Sequence, residues 1–324
     1  MKVEDRPDPQ PKSGQVVIRV MAAGLNFADI LARQGLYPDG PPKPCVMGYE
    51  VAGIIETVGS DVDPGMIGRP VIAMTRFGGQ AELVVVPFAQ TFDKPDNLTF
   101  EQGAAIPVNY LTAWALLVTM GGLKSDEAVL IHNAGGGVGL AALEIAKHIG
   151  ATTFGTASLG KHEFLRARGL DHPIDYREQD WLPAVMSLTD NRGVELIIDP
   201  LGGSNWKKSY RALRPTGRMG VFGISVVSAS GMTGKIRALK AILTMPRFNP
   251  IGLMNSNKGV FGLNLGHMWG EGEKVAGWTR EIMSGVAAGW IRPHVDRTFP
   301  FDQIQEAHTY IESRRNIGKV VLVP

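Results

Sequence analysis

The sequence is poor in cysteine and has no uninterrupted apolar run long enough for a membrane span. Its 324 residues include one cysteine, Cys45, which excludes an internal disulfide and any zinc site built from several cysteines. One uncharged stretch, 104–123, has the length of a span, but Pro107, Asn109, Thr112 and a pair of glycines interrupt it. We therefore interpret it as a buried helix of a soluble protein.

A signal peptide is also missing from the sequence. Residues 1–15 are charged and proline-rich where a signal peptide would need an apolar core. Together with the single cysteine, this predicts a cytoplasmic protein.

Acidic residues are absent from a long central stretch. The formal net charge of the whole chain is only +2, which gives no reason to expect nucleic acid as a partner. No acid occurs between Asp199 and Glu271, where the basic residues are Lys207, Lys208, Arg211, Arg214, Arg218, Lys235, Arg237, Lys240, Arg247 and Lys258. Any basic surface must therefore be local.

One segment of this basic region, 235–245 (KIRALKAILTM), has the pattern of an amphipathic helix. Four apolar residues share one helical face with basic residues opposite: Ile236, Leu239, Ile242 and Leu243. Two interpretations stay open. The helix either covers a sheet in the ordinary way, or it docks peripherally on an anionic membrane.

The clearest motif is the stretch 128–150, AVLIHNAGGGVGLAALEIAKHIG, which predicts a strand, a turn and a helix. Four of the seven residues of the turn, 133–139, are glycines, and such a turn lets backbone N–H groups and a helix N-terminus bind a pyrophosphate. Ala134 replaces the first glycine of the G-x-G-x-x-G pattern. The predicted contacts are Gly136, Gly137, Val138 and Gly139.

Further strand-like segments follow this motif at βαβ intervals, at 152–157, 196–199 and 219–222. They predict an α/β domain with a doubly wound parallel (Rossmann) sheet. The first hundred or so residues instead contain short strands without helices between them, which predicts a small, partly open β-barrel. A terminal strand, 319–323, is expected to return to this first domain.

Segments spread over the whole chain carry a family resemblance. GLNFADILARQGLY, MGYEVAGIIETVGSDV, the NAGGGVG turn and the closing NIGKVVLVP together resemble the zinc-independent quinone oxidoreductase branch of the medium-chain dehydrogenase/reductases. Within that branch, GTASLGKHEFLRARGLDHPIDYRE and DPLGGSNWKKSYRALRPTGRMGVFG are most similar to the synaptic vesicle membrane protein (vesicle amine transport protein) family.

The resemblance implies a domain plan and an assembly. The dinucleotide-binding domain would span 109–267, and a GroES-like catalytic domain would combine 1–108 with 268–324. Relatives carry an extra strand pair before the segment that begins at Lys2, so we expect the barrel to be shortened at this end. A homodimer is expected from family habit.

A metal is not expected at the catalytic centre. Zinc-dependent members of the superfamily carry G-H-E-x-x-G with a metal-binding histidine, whereas this sequence has Gly48-Tyr49-Glu50-Val51-Ala52-Gly53. The seven histidines form no close pair such as H-E-x-x-H.

NADPH is the predicted cofactor. An acid usually lies about twenty residues beyond the glycine turn in NAD-preferring enzymes, but the segment 156–161, TASLGK, has none. Ser158 and Lys161 offer a hydroxyl and a cation for a 2′-phosphate instead, and the resemblance implies this role for Lys161.

The resemblance implies further cofactor contacts, each of which could equally be a packing or surface residue. Tyr176 would lie near the adenosine phosphate, Phe222 and Gly223 near the nicotinamide ribose, and Asn109 and Thr112 near the carboxamide. Candidates on the closing side of the cleft are Phe261, Arg314 and Lys319.

For the reaction, the resemblance implies hydride transfer to a quinone or an α,β-unsaturated carbonyl. Tyr37, in a loop rich in glycine and proline, is the predicted proton donor; the alternative is a loop tyrosine with a structural hydrogen bond. Asn26 would orient substrate or nicotinamide, and Asp29 would hold the loop. The second hypothesis is a cofactor-binding membrane or vesicle adaptor that has lost vigorous catalysis.

Overall fold

The structure is a computed structural model that describes residues 1–37, 39–225, 236 and 239–324. Two compact units divide the chain, one formed by Met1–Leu111 with Gly266–Pro324 and the other by Thr112–Leu265. The predicted domain limits, after residues 108 and 267, lie within a few residues of the two points where the chain passes from one unit to the other. Among the described residues, no helix combines the length and apolar character needed to cross a membrane.

The strands, in chain order, are β1 (Gln15–Leu25), β2 (Glu50–Val58), β3 (Pro70–Met74), β4 (Leu83–Pro87), β5 (Thr91–Asp93), β6 (Ala128–Ile131), β7 (Thr152–Ala157), β8 (His172–Asp175), β9 (Val194–Asp199), β10 (Leu213–Val221), β11 (Gly259–Gly262), β12 (Val295–Pro300) and β13 (Lys319–Val323). The α-helices are Phe27–Gln34, Phe100–Ala104, Pro107–Trp114, Gly137–Ile149, His162–Ala167, Trp181–Leu188, Ser204–Ala212, Pro250–Ser256, Gly272–Ala287 and Ile304–Glu312.

The first unit contains a seven-stranded sheet in the order β12-β13-β1-β2-β3-β5, with β4 also paired to β1. The terminal strand pairs antiparallel with β1, in the register Ala23↔Leu322. Consecutive residues Val16, Val17 and Ile18 are all buried, and because successive side chains of a strand point to opposite faces, β1 must be covered on both. Its sequence is therefore almost wholly apolar, and the predicted return of strand 319–323 to this unit is confirmed.

The second unit contains a six-stranded sheet in the order β11-β10-β9-β6-β7-β8, and all its pairings are parallel. From β6 the chain proceeds outward on one side through β7 and β8, then returns to the other side with β9. This reversal between β6 and β9 is the switch point at which doubly wound sheets bind ligands, at the carboxyl ends of the strands. The predicted Rossmann sheet is confirmed.

The helix Gly137–Ile149 follows β6 and ends at Gly150, whose left-handed φ is 91°. Leu140, Leu143 and Ile145 are buried, so its apolar residues pack inside this unit. Its N-terminus therefore lies at the carboxyl end of β6, next to the switch point.

The predicted amphipathic helix is only partly within the described residues, which exclude Lys235, Arg237 and Ala238. Ile236 and residues 239–243 are helical. Ala241 is buried, and a methyl group placed on Gly203 would lie 3.5 Å from its Cβ. The four side chains of the predicted apolar face are exposed, so these four do not cover the sheet as the first interpretation expected.

Candidate cofactor and active site

The glycine turn follows β6. Of its residues, 133–139, only Asn133 has a left-handed backbone conformation, with a φ of 55°. Asparagine tolerates this left-handed conformation better than most residues. Ala134 keeps a negative φ, which explains how alanine replaces the first glycine of the motif without strain. Gly136, the N-cap of the helix, donates its backbone N–H to Asn133 O at 2.9 Å.

Close approaches mark two positions of the turn, and at Gly139, where the contact is with backbone atoms, the structure requires glycine. A methyl group on Gly139 would lie 2.3 Å from Asn133 O, and one on Gly135 would lie 2.7 Å from Lys161 Cδ. The Lys161 side chain therefore crosses the turn where Gly135 has no side chain. The structure thus brings the predicted contacts at 136–139 together with Lys161.

A carboxylate that the sequence analysis did not select holds the loop before Lys161. Asp175, the last residue of β8, accepts a hydrogen bond from Leu159 N at 3.0 Å and another from Arg177 N at 2.9 Å. It thereby fixes the loop of Ser158, which is half-buried. Tyr176, the next residue after Asp175, is exposed.

Three other predicted contacts of this unit, Phe222, Gly223 and Phe261, lie at or near the same edge of the sheet. Phe222 and Gly223 follow β10, and Phe222 N donates to Asp199 O at 3.4 Å. Phe261, on β11, packs over Gly220, where a methyl group would lie 2.8 Å from its ring. Thr112 is buried in the helix Pro107–Trp114.

In the first unit, Asn26 and Lys319 meet around the fully buried carboxylate of Glu50. Lys319 Nζ donates to Asn26 Oδ1 at 2.7 Å and also to Glu50 Oε1. Asn26 Nδ2 donates to the same Glu50 oxygen at 2.8 Å, and Val108 N donates to Glu50 Oε2 at 2.7 Å. Lys319 is only 2% exposed and forms an internal ion pair, through which it also orients Asn26; its contact with the cofactor stays a prediction.

Asp29 holds the loop beside this cluster, as expected. Its side chain accepts from Asn26 N at 2.8 Å and from Gly48 N at 3.0 Å. Burial raises the pKa of Asp29 to about 7, although these N–H donors and the Lys319 ammonium act in the opposite direction.

Tyr37 lies in an aromatic group with the tyrosine that occupies the histidine position of the zinc motif. The Tyr37 and Tyr49 ring centroids are 6.0 Å apart, edge to face, and Tyr49 also contacts Phe77 at 4.9 Å. The Tyr49 side chain is buried, and its hydroxyl interacts with that of Tyr37. Burial raises the pKa of Tyr49, and Tyr37 and Asp29 raise it further, so this phenol stays neutral at physiological pH.

Two further predicted residues remain, one of them buried and the other exposed. Asn109 is buried and donates to Ala105 O at 3.0 Å within its own helix region. Arg314 is exposed just after the helix Ile304–Glu312, with a left-handed φ of 56°. Within the described part of the chain, no group of three histidine, cysteine or acidic side chains is arranged to hold a metal ion.

The fold and the glycine turn together define a medium-chain dehydrogenase/reductase. The family model described as alcohol dehydrogenase GroES-like domain matches residues 12–96, and the model described as zinc-binding dehydrogenase matches residues 168–322.

Comparison with individual proteins identifies the family. The chain is 39% identical to the synaptic vesicle membrane protein VAT-1 homolog of Homo sapiens, covering 100% of this chain and 83% of that protein. It is 30% identical to human quinone oxidoreductase over 97% of this chain and 91% of that protein. The chain belongs to the VAT-1 homolog family of the medium-chain dehydrogenase/reductases, which confirms the resemblance.

The solved structure of Escherichia coli quinone oxidoreductase complexed with NADPH superposes with a TM-score of 0.86 at 30% identity. The match covers 99% of this chain and 95% of that one. It confirms the two-domain fold.

Replacing Lys319 by methionine should lower the free energy of unfolding by about 3–5 kcal/mol, because the Glu50 carboxylate would stay buried without its cation. Urea unfolding measures this loss. The matched control is Lys208→Met, which removes an exposed ion pair with Asp180 and should cost less than about 1 kcal/mol. Adding Glu50→Gln to Lys319→Met should recover part of the loss, and equal losses in both lysine variants would contradict the assignment.

Proposed function

We propose that this protein is an NADPH-dependent oxidoreductase that reduces a quinone or an α,β-unsaturated carbonyl without a catalytic metal. Its membership of an oxidoreductase superfamily supports the general reaction class. The observation that carries the proposal is that the Lys161 side chain lies across the glycine turn at Gly135. Lys161 belongs to the segment 156–161, which lacks the acid that NAD would favour.

The residues present fit NADPH. The glycine turn offers backbone N–H groups and the N-terminus of the helix Gly137–Ile149, which suit a pyrophosphate. Ser158 and Lys161 suit a 2′-phosphate, and Asp175, the nearby acid, accepts hydrogen bonds from backbone amides with both oxygens. When bound, NADPH would supply the hydride.

The substrate side of the proposal rests on Tyr37 and Asn26. Negative charge that develops on a carbonyl oxygen must be met by hydrogen-bond donors when no metal is present. Tyr37 would donate a proton to the substrate, and Asn26 would orient substrate or nicotinamide from the position that Glu50 and Lys319 give it. Tyrosine at position 49 removes the imidazole ligand of the zinc motif, which supports the metal-free proposal.

A cytoplasmic location and a homodimer also belong to this proposal. Both rest on the sequence pattern and the family resemblance.

Replacing Lys161 by alanine should weaken NADPH binding about tenfold to a hundredfold and leave NADH binding nearly unchanged, because a charge-assisted hydrogen bond to the 2′-phosphate is lost. Titration of the cofactor's fluorescence measures both constants. The exposed Lys207→Ala makes the same change of charge elsewhere and should bind NADPH like the wild type. A wild type that binds both cofactors equally would refute the cofactor assignment.

Replacing Tyr37 by phenylalanine should lower kcat for an α,β-unsaturated ketone about a hundredfold through loss of the acid, with NADPH affinity retained. Tyr49→Phe deletes the same hydroxyl group from the neighbouring ring. It should keep most of the turnover, because the proposed acid, the Tyr37 hydroxyl, remains. Steady-state kinetics measure turnover in both variants, and full turnover in Tyr37→Phe would exclude its role.

A second candidate function, a cofactor-binding adaptor on membranes, is favoured by one observation. In the basic region without acids, four apolar side chains of the amphipathic segment are 57–75% exposed: Ile236, Leu239, Ile242 and Leu243. Ile251 and Met254 of the helix Pro250–Ser256 are also exposed. Apolar side chains interspersed with lysine and arginine suit an anionic lipid surface.

If this surface docks, the protein should float with vesicles that contain phosphatidylserine and not with pure phosphatidylcholine. Reversing the charges of Lys235, Arg237 and Lys240 should lower partitioning by at least about a hundredfold, because the loss of each basic residue alone costs about 1 kcal/mol. Leu243→Gln should weaken it through lost apolar contact, whereas Lys207→Glu serves as the control. Flotation that is independent of anionic lipid would refute docking, and tight NADPH binding without turnover of quinones or enones would favour the adaptor over the enzyme.

A further inference from the structure

Four polar side chains meet in the interior of the second unit, directly beside the glycine turn. His132 follows β6, Thr156 lies near the end of β7, Asp199 ends β9, and Ser209 lies on the helix Ser204–Ala212. None is more than 2% exposed. The proposed reaction uses none of them, and polar groups so deeply buried are costly unless fully hydrogen-bonded.

Two groups that can only donate fix the hydrogen positions at the Asp199 end of this cluster. Trp181 Nε1 donates to Asn205 Oδ1 at 3.1 Å, so the Asn205 amide nitrogen faces Asp199 and donates to its Oδ2 at 2.8 Å. Leu201 N donates to Asp199 Oδ1 at 2.7 Å. Both carboxylate oxygens are thus acceptors, and the Ser209 hydroxyl must donate to Oδ2, at 2.7 Å.

The donor and the acceptor of each remaining hydrogen bond follow from the assignment at Asp199. Ser209 has used its only hydrogen, so at 3.1 Å its oxygen accepts from His132 Nε2–H. Burial lowers the pKa of His132, and the neutral ring then presents Nδ1 as an acceptor. The Thr156 hydroxyl donates to this Nδ1 at 3.0 Å and accepts from the backbone N–H of Asn133 at 3.3 Å.

The result is one directional relay from the glycine turn to a buried carboxylate. It runs from Asn133 N–H through Thr156, His132 and Ser209 to Asp199. The serine hydrogen goes directly to the aspartate and the whole group is buried, so the arrangement is unlike a Ser-His-Asp nucleophile, in which the histidine takes the serine proton.

The relay begins at Asn133, the residue of the turn that has the strained backbone. Thr156 holds the turn twice, because its carbonyl also accepts from Ala134 N at 3.1 Å. Without the Thr156 hydroxyl, the Asn133 N–H and His132 Nδ1 would each lose a partner. The left-handed conformation of Asn133 would then be held by fewer contacts.

We infer that Thr156, His132 and Ser209 are positioning residues, and that this relay, anchored on Asp199, holds the glycine turn in the conformation that receives the cofactor pyrophosphate. The inference rests on the proposed NADPH site. It adds to that site a set of residues that do not touch the cofactor.

The test compares two buried threonines of β7. Thr156→Val removes the relay hydroxyl with little change of shape, Thr156→Ser restores it, and Thr153→Val removes a buried hydroxyl that donates to Asp171 at 2.8 Å at the other end of the strand. NADPH titration should show a Kd raised about tenfold in Thr156→Val. Wild-type affinity is expected in Thr156→Ser and in Thr153→Val, with urea unfolding recording the stability of each variant.

Two readouts without cofactor separate failure of the relay from failure of the NADPH proposal. The ¹⁵N signals of His132 should identify the neutral Nε2–H tautomer in the wild type, and amide exchange at Asn133 should accelerate in Thr156→Val but not in Thr153→Val. If the wild type does not bind NADPH, the cofactor proposal is refuted. The His132 tautomer and the amide exchange at Asn133 then decide by themselves whether the relay holds the turn. The Nδ1–H tautomer, unchanged exchange in Thr156→Val, or equal loss of affinity in both valine variants would overturn the inference.

Discussion

The first unit depends on the burial of one carboxylate, that of Glu50. A charge without water is tolerated only when cations and hydrogen-bond donors surround it. Its partners are Asn26, the backbone of Val108 and Lys319, which lie far apart in the sequence. The end of β1, the start of β2, the start of a helix and the terminal strand must therefore converge, so both ends of the chain build this unit.

A second buried carboxylate has the same effect in the parallel-sheet unit. Asp199 collects donors from the loop after β9 and from the following helix. Through Ser209 and His132 this carboxylate reaches the turn after β6. In both units, then, a buried carboxylate that accepts several hydrogen bonds orients a residue or a turn with a proposed role in binding.

Much of the fold could be predicted because its signals are local. The strand at 152–157 matches β7 and that at 319–323 matches β13, since β-branched residues and bounding glycines act within a few positions. The roles of Glu50 and Lys319 in the candidate site could not be predicted, because their bond joins residues separated by 269 positions. The same applies to His132 and Ser209, 77 positions apart; the only signal was that His132 is a polar residue directly after an apolar strand.

The sequence by itself determined which chemistry is available: one cysteine, tyrosine where zinc-dependent members have histidine, no acid in 156–161, and four glycines in the turn. These are properties of the chain that folding does not alter. Only the tertiary structure decided that the Lys319 ammonium is internal, that the Lys161 side chain crosses the turn, and that Leu239 and Leu243 are exposed. The partner of a charged or apolar side chain depends on which distant segments strand pairing brings together, and desolvation then fixes the energy of that contact.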